Sequence, residues 1–218
     1  MCVVACDAFV LFDPRPFFQK VVQDHGKQGA VVAAGFRQRL FDYGWLRALG
    51  GRYVDFEQLS ADALRAGFES AGLRVPAEQL ESLLECWFTL PLWPDAHAGV
   101  QRLATLGVQV AVLSNWSPGM LSRSLARVGL AGQVRALSTD LMRTYKPDPA
   151  AYGLALDAYR VQRDQVAFVG FAGWDVAGAC WFGYPTVWMN RIRAPREQLG
   201  ANCLETCASF EDSRVLRS

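Results

Sequence analysis

Four short motifs along this chain carry side chains suited to nucleophilic and acid–base chemistry. In sequence order they are Asp7, Ser114-Asn115, Lys146-Pro147-Asp148 and Trp174-Asp175. Together they supply carboxylates, an amine, a hydroxyl and an amide. A carboxylate can attack carbon directly and form an ester, which water then cleaves. If the fold brings the four motifs together, their side chains outline an active site.

Short apolar runs precede the first, second and fourth motifs. These runs are Val3–Cys6, residues 110–113 and residues 166–169. Apolar runs of this length, bounded by turn residues, are typical of strands that are buried on both faces. The carboxyl ends of parallel strands share one edge of a sheet, which is where α/β folds bind their ligands. We therefore expect motifs that are far apart in sequence to converge at one edge.

Helix-like and strand-like segments alternate through the second half of the chain. The predicted helices cover residues 96–106, 120–128 and 149–159, and the predicted strands cover residues 109–113, 134–138, 166–169 and 186–189. Such alternation favours a parallel sheet flanked by helices. The predicted fold class is therefore α/β, with a Rossmann-like parallel sheet core built from residues 1–13 and 93–218.

The intervening segment, residues 14–92, has a different pattern. It contains no strand-like run, and its side chains recur at helical spacing at Phe36, Leu40, Tyr43 and Leu46. Two more helices are predicted at residues 57–71 and 76–88, and a proline that suits a first helical turn begins the second. We predict that this segment is an all-helical domain inserted into the sheet domain.

Composition and charge argue against several classes of function. The 218 residues carry a formal net charge of +1, which gives no electrostatic reason to bind nucleic acid or an acidic membrane. The basic segment from Arg191 to Arg196 is predicted to be solvated surface. No apolar stretch approaches the length of a membrane span. The first residues lack the basic and apolar regions of a signal peptide, so a cytoplasmic protein is expected.

The cysteines indicate neither a zinc site nor a disulfide framework. There are six of them without a CxxC pair, and only His25 and His97 are available to help them bind metal. Reduced and mostly buried thiols are the expectation for a cytosolic chain.

The motifs resemble those of the haloacid dehalogenase-like superfamily, and within it the L-2-haloacid dehalogenase (type II) branch. The resemblance runs from Cys6 to about Asn190, and its clearest stretches are residues 43–47, 52–56, 113–115, 145–148 and 174–175. It implies hydrolytic dehalogenation of short 2-haloacids without a cofactor or a metal. It also implies that the helical segment is a cap over the site, and it is compatible with a homodimer.

The resemblance implies four catalytic residues. Asp7 attacks the carbon that bears the halogen, and Lys146 keeps the Asp7 carboxylate ionised and oriented. Arg37, in the cap, receives the halide, and Asp175 activates the water that cleaves the ester. The residue types alone leave other interpretations open, because an Asp after a strand often caps a turn and a lysine before Pro-Asp is often exposed.

The resemblance also implies substrate-binding residues. Ser114 binds the substrate carboxylate, while Asn115 and Trp174 help to cradle the halide. Three further aromatic residues match family positions in or near the pocket, and these are Phe41, Phe56 and Tyr152. Aromatic residues at helical spacing are usually core, however, and Tyr152 is interpreted equally well as part of a helix face packed on the sheet.

Several positions depart from the family pattern. Phe9 stands where phosphatases of the superfamily carry a second Asp that donates a proton, so phosphoryl transfer and a metal requirement are disfavoured. The loop from Asp7 to Asp13 is one residue shorter than usual and lacks a tyrosine and a threonine hydroxyl. Gly170 and Ala172 stand where the family usually has Ser and Asn.

These departures leave more than one function open. The displacement step keeps its residues, whereas the hydrolytic step loses polar groups that would orient Asp175 and its water. The chain is either a 2-haloacid dehalogenase or an impaired or non-catalytic homologue that binds a small carboxylate or a protein partner. An enzyme with its water placed by other groups is an intermediate case, and its pocket would be more apolar because of Phe9, Trp116, Phe171 and Trp174.

Overall fold

The computed structural model of the chain describes residues 2–216. Two compact units are present. One contains the residues up to Phe12 and those from Leu92 onward, and the other contains Asp13–Pro91.

A parallel sheet forms the centre of the first unit. Among the described residues it has six strands in the order β3-β2-β1-β4-β5-β6, and all the neighbouring strands are parallel. The strands are β1 Val3–Cys6, β2 Gln109–Ser114, β3 Val134–Ser138, β4 Val166–Gly170, β5 Thr186–Met189 and β6 Glu205–Cys207. The α/β fold with a parallel sheet is therefore confirmed.

The middle of the sheet explains why the motifs converge. Strand β1 lies between β2 and β4, with Cys6 beside Val112 on one side and Val169 on the other. All four residues of β1 and all five of β4 are buried, as expected for strands covered on both faces. The segments that follow these three strands therefore leave the sheet side by side at its carboxyl edge.

Helices flank this sheet, and four of the five begin close to a motif. They are α1 Ala8–Leu11, α5 Ala96–Thr105, α6 Pro118–Arg127, α7 Pro149–Tyr159 and α8 Gly173–Phe182. Ser117 caps α6 by accepting a hydrogen bond from the amide of Met120, and Asp148 caps α7 through the amide of Ala150. Both helices have proline in the first turn, which fixes where they begin.

The second unit is helical. Its helices are α2 Arg15–Leu49, α3 Phe56–Ser70 and α4 Ala77–Phe88, and α2 is kinked at Gly26, whose φ of 55° is positive. The rings of Phe17, Phe36 and Trp87 form its core, with centroids 5.0–5.2 Å apart. Gly67 lets α3 approach α2, since a Cβ there would lie 2.8 Å from the carbonyl oxygen of Val32.

Two expectations about side chains need correction. The Arg191 side chain is 4% exposed and pairs with Asp95, so the segment from Arg191 to Arg196 is not solvated throughout. All six cysteines are free thiols, but only Cys6 and Cys207 are buried and the others are partly exposed. Within residues 2–216, no helix is both long and apolar enough to cross a membrane.

Candidate active site

A lysine lies between two carboxylates at the carboxyl edge of the sheet. The Nζ atom of Lys146 donates to Oδ1 of Asp7 at 2.8 Å and to Oδ2 of Asp175 at 2.6 Å. Lys146 and Asp175 are each 1% exposed and Asp7 is 8% exposed. Three residues from three predicted motifs thus meet in one buried cluster.

Asp7 is oriented by its own backbone as well as by Lys146. It follows β1 directly and caps the short helix α1, because its Oδ2 accepts a hydrogen bond from the amide of Phe9 at 3.0 Å. Its amide donates to the carbonyl of Val169 on β4 at 2.9 Å. The two carboxylate oxygens therefore have different fixed donors, a charged one at Oδ1 and a backbone amide at Oδ2.

Lys146 stays protonated in this environment. Burial alone would lower the pKa of its amine, but Asp175 and Asp7 together outweigh burial and raise the pKa above its usual value. The ring of Phe168 lies 5.3 Å from Nζ and adds a cation–π contact. The cluster thus contains a permanent positive charge beside the carboxylate of Asp7.

Asp175 has the more perturbed carboxyl group. Burial raises its pKa to about 6, and the negative charge of Asp7 acts in the same direction, while Lys146 and Tyr152 partly oppose the rise. A carboxylate with a pKa close to neutrality is well matched to accepting a proton from water.

Tyr152 serves both as core and as a donor to the site. Its hydroxyl donates to Oδ1 of Asp175 at 2.7 Å, while its ring packs edge-on against Phe168 at 5.5 Å. Gly178 on α8 provides the space, since a Cβ there would lie 2.5 Å from the Tyr152 hydroxyl oxygen. The two interpretations of Tyr152 from the sequence, as a residue near the site and as part of a helix face packed on the sheet, are therefore compatible with each other.

The amide of Asn115 has a fixed orientation. Its Oδ1 accepts from the backbone amide of Lys146 at 2.9 Å and from the hydroxyl of Thr139 at 3.3 Å. With the oxygen held by two donors, the NH₂ end points the other way and is the end that can donate to an anion. Thr139 was not predicted from the sequence, because it lies outside the four motifs.

Ser114 and Trp174 also lie at this edge. Ser114 is the last residue of β2 and is 2% exposed, and its hydroxyl oxygen accepts from the amide of Trp116 at 3.2 Å. Trp174 is in the first turn of α8, next to Asp175, and is partly exposed. Their assigned roles toward substrate stay predictions.

Aromatic rings surround the segment after Asp7. Phe9 packs against Trp116 at 5.6 Å and against Phe171 at 5.8 Å, and Phe12 packs against Trp116 at 5.2 Å. Phe9 and Phe171 are partly exposed, whereas Trp116 is buried. The first unit is thus apolar around the segment that follows Asp7, as the residue types predict.

Two of the positions that depart from the family pattern lie in the connection from β4 to α8, with Gly170 as the last residue of β4 and Ala172 just before α8. A Cβ on Gly170 would lie 2.7 Å from Cγ2 of Val176 and 3.2 Å from the Val176 amide nitrogen. Ala172 occupies the N-cap of α8, where it makes no side-chain hydrogen bond to the helix. Within residues 2–216, no group of three or more His, Cys, Asp or Glu side chains could hold a metal ion.

Three predicted site residues belong to the helical unit. Arg37 is exposed on α2. Phe41, also on α2, is partly exposed and stacks on Trp45 with centroids 5.8 Å apart, and Phe56 is the first residue of α3 and is 4% exposed. Their roles in a reaction stay predictions.

Comparisons with known proteins identify the family that this chain resembles. The family model for haloacid dehalogenase-like hydrolases matches residues 5–183. The (S)-2-haloacid dehalogenase 1 of Pseudomonas sp. (strain CBS-3) is 36% identical over 88% of this chain and 85% of its own length. The (S)-2-haloacid dehalogenase of Pseudomonas sp. (strain YL) is 33% identical over 90% of this chain and 86% of its own length.

A solved structure extends the similarity to three dimensions. The L-2-haloacid dehalogenase from Xanthobacter autotrophicus, in a structure with chloropropionic acid covalently bound, superposes with a TM-score of 0.87 at 27% identity. The match covers 96% of this chain and 95% of that one.

Proposed function

This chain belongs to the haloacid dehalogenase-like hydrolase family, and from that premise we propose that it hydrolyses short 2-haloacids to 2-hydroxy acids. The observation that carries the proposal is the contact of Lys146 with both Asp7 and Asp175 in a buried cluster. The names of the relatives point to the (S)-enantiomer as the substrate.

In the first step, a carboxylate oxygen of Asp7 attacks the halogen-bearing carbon from the side opposite the halogen. A bond forms between that oxygen and carbon while the carbon–halogen bond breaks, the halide leaves with the electron pair, and the carbon is inverted. Lys146 places its positive charge against the Asp7 carboxylate and holds that carboxylate in position for nucleophilic attack. The covalently bound acid in the Xanthobacter relative supports an intermediate of this kind.

In the second step, water attacks the carbonyl carbon of the Asp7 ester. Asp175 accepts a proton from the water, the acyl–oxygen bond breaks, and the proton passes to the departing 2-hydroxy acid. The raised pKa of Asp175 supports its role as base near neutral pH. One oxygen of the water thereby stays in the carboxyl group of Asp7, which returns to a carboxylate by losing the second proton of the water to solvent.

Substrate and halide bind through the remaining predicted residues. Ser114 binds the substrate carboxylate, and the NH₂ group of Asn115, with Trp174 and Arg37, receives the halide. The aromatic residues Phe41, Phe56 and Tyr152 line or border the pocket. No metal or cofactor takes part in this proposal, because Lys146 supplies the positive charge beside Asp7. The cap role of residues 14–92, the homodimer and the cytoplasmic location stay predictions.

We infer that the second step is slower here than in relatives with the full set of polar groups. Gly170 and Ala172 provide no side-chain donor or acceptor near Asp175, and each group lost from a catalytic site commonly costs a hundredfold or so in rate. The close approach of Val176 means that a serine at 170 needs a smaller residue at 176. The signature is a burst of about one halide per site, followed by slow turnover.

Halide release from the two enantiomers of 2-chloropropionate tests the proposal. Wild-type protein should release chloride from the (S)-enantiomer, and freshly prepared Asp7→Asn should release none, since an amide is a very weak nucleophile. Chloride release by Asp7→Asn at the wild-type rate would remove Asp7 from this role. Absence of release by the wild type, with no mass adduct on the Asp7 peptide, would favour the non-catalytic homologue.

A further inference from the structure

A second buried cation, Arg191, contacts the segment that carries the nucleophile. It follows β5 by two residues, and its side chain is 4% exposed. Its Nε donates to the carbonyl oxygen of Val10 in α1 at 3.0 Å. We propose that Arg191 is a positioning residue that holds α1, and through α1 the carboxylate of Asp7, in the geometry for attack. This proposal rests on the proposed function.

Helix α1 depends on contacts from outside itself. It has only four residues, and an isolated turn of this length is not stable, because nucleating a helix costs more than one hydrogen bond returns. Its carbonyl oxygens are held by two residues distant in sequence. The Trp93 indole N–H donates to the carbonyl of Phe9 at 3.0 Å, and the Trp93 amide donates to the carbonyl of Leu11 at 2.8 Å. Arg191 holds Val10 between them.

The position of α1 determines the position of the Asp7 carboxylate. Oδ2 of Asp7 accepts from the amide of Phe9, and the backbone carbonyl of Asp7 accepts from the amide of Val10 at 3.0 Å. A displacement of α1 therefore changes the angle of the carboxylate about its contact with Lys146. Errors of about 1 Å in the placement of reacting groups can cost a hundredfold in rate.

Arg191 is itself firmly held. Its Nη1 and Nη2 atoms donate to the two carboxylate oxygens of Asp95 at 2.8 and 3.3 Å. Its guanidinium lies 5.0 Å from the ring of Trp93 and 5.7 Å from that of Phe210. Asp95 also accepts from the amide of Phe210 at 2.7 Å. A planar guanidinium can grip a carboxylate with two groups and still present Nε to a third acceptor, which the single ammonium of lysine cannot do.

The test compares Arg191→Lys with Arg102→Lys. Arg191→Lys keeps a cation beside Asp95, but one ammonium group cannot donate both to the two Asp95 oxygens and to the carbonyl of Val10. Arg102 donates to the carbonyl of Phe210 at 2.7 Å, so Arg102→Lys disturbs the same C-terminal segment without touching α1. Trp93→Phe removes the indole donor to the carbonyl of Phe9 in α1 and should act like Arg191→Lys.

Two measurements are made on each variant. Hydrogen exchange follows the peptide that contains residues 7–13, and quenched single turnovers with enzyme in excess follow halide release from (S)-2-chloropropionate. For Arg191→Lys we expect faster exchange in that peptide and a rate constant for halide release about tenfold lower or more, at full amplitude. Lower amplitude at an unchanged rate constant would indicate unfolded protein and would overturn a positioning role.

The control variant and the other possible results also test the role of Arg191. Arg102→Lys should match the wild type in both measurements, and equal effects of the two substitutions would overturn the proposal. Unchanged exchange, or faster exchange with an unchanged rate constant, would overturn it as well. If the wild type itself releases no halide, the proposed function fails, and exchange alone decides whether Arg191 holds α1.

Discussion

Replacing Lys146 with methionine removes the ammonium group between Asp7 and Asp175 and keeps a side chain of similar shape. In the wild type, Nζ lies 2.8 Å from one carboxylate and 2.6 Å from the other. Without it, two carboxylates in a buried site face each other with no cation between them. We expect Lys146→Met to lose one of the two steps of the reaction, and with it turnover, as well as much of its stability.

The size of the effect follows from the geometry. The two carboxylate oxygens contact the same Nζ at 2.8 and 2.6 Å, so they lie no more than 5.4 Å apart. Two negative charges at that distance repel by about 3 kcal/mol at an effective dielectric constant of about 20. This repulsion lowers the population with both groups ionised by roughly a hundredfold. Either Asp7 is then protonated and cannot attack, or Asp175 is protonated and cannot activate water. Removing one partner of a buried ion pair also costs about 3–5 kcal/mol of stability.

Two assays measure these effects separately. Single-turnover formation of the hydroxy acid at neutral pH should fall about a hundredfold, because protonation of either carboxylate blocks one of its two steps. Urea denaturation should report the loss in free energy of unfolding. The variant should regain stability as the pH falls, because its folded state then binds a proton more tightly than the unfolded chain does. Lys20→Met is the matched control, since Lys20 pairs with Asp24 at 2.9 Å on the surface with both side chains over a third exposed, and such pairs contribute little.

A specific result would refute this reasoning. If Lys146→Met forms the hydroxy acid within about threefold of the wild-type rate, the ammonium group is not needed for either step. If Lys146→Met is as stable as Lys20→Met, removal of the ammonium group does not leave two unpaired carboxylates in the buried cluster, which is contrary to what the distances indicate.

Three further predictions concern α8 and its neighbours. Because burial raises the pKa of Asp175 to about 6, the single-turnover rate of hydroxy-acid formation should fall as the pH is lowered through 6, and a rate that stays level well below pH 6 would contradict its role as base. Ala172→Asn should cap α8 and add about 1 kcal/mol, which raises Tm by about 2–4 °C for a chain of this size; an unchanged or lower Tm by calorimetry would count against this N-cap. Gly178→Ala should destabilise by about 1–3 kcal/mol, because its Cβ would lie 2.5 Å from the Tyr152 hydroxyl. Gly153→Ala, with nothing within 4 Å of the new Cβ, should not destabilise, and equal stability of the two alanine variants in urea would show that this contact does not matter.

The parts of the fold that carry regular patterns could be predicted from the sequence. Apolar runs of four or five residues mark β1 and β4 because both faces of these strands are buried. The order of the motifs then predicts that Asp7, Lys146 and Asp175 share one edge. Strand β6, Glu205–Cys207, has three residues and one buried side chain, so no periodicity indicates it.

The residues that hold the site in place were harder to predict. Arg191 lies in a basic segment that is typical of solvated surface, and only the tertiary contacts with Asp95 and α1 bury it. Thr139 donates to Asn115, and Trp93 donates to the carbonyl of Phe9. Both donors lie in segments without a motif. Such contacts depend on which loops meet in space, and spacing along the chain does not encode this.

The most direct test of the central claim uses water labelled with oxygen-18. A single turnover of (S)-2-chloropropionate with excess protein in labelled water should give unlabelled hydroxy acid, because its new oxygen comes from the Asp7 carboxylate. The peptide that contains Asp7 should gain the label, since water attacks the ester carbonyl. Label in the hydroxy acid and none in the peptide would mean that water attacks the substrate carbon directly, and it would contradict the role of Asp7 as the nucleophile.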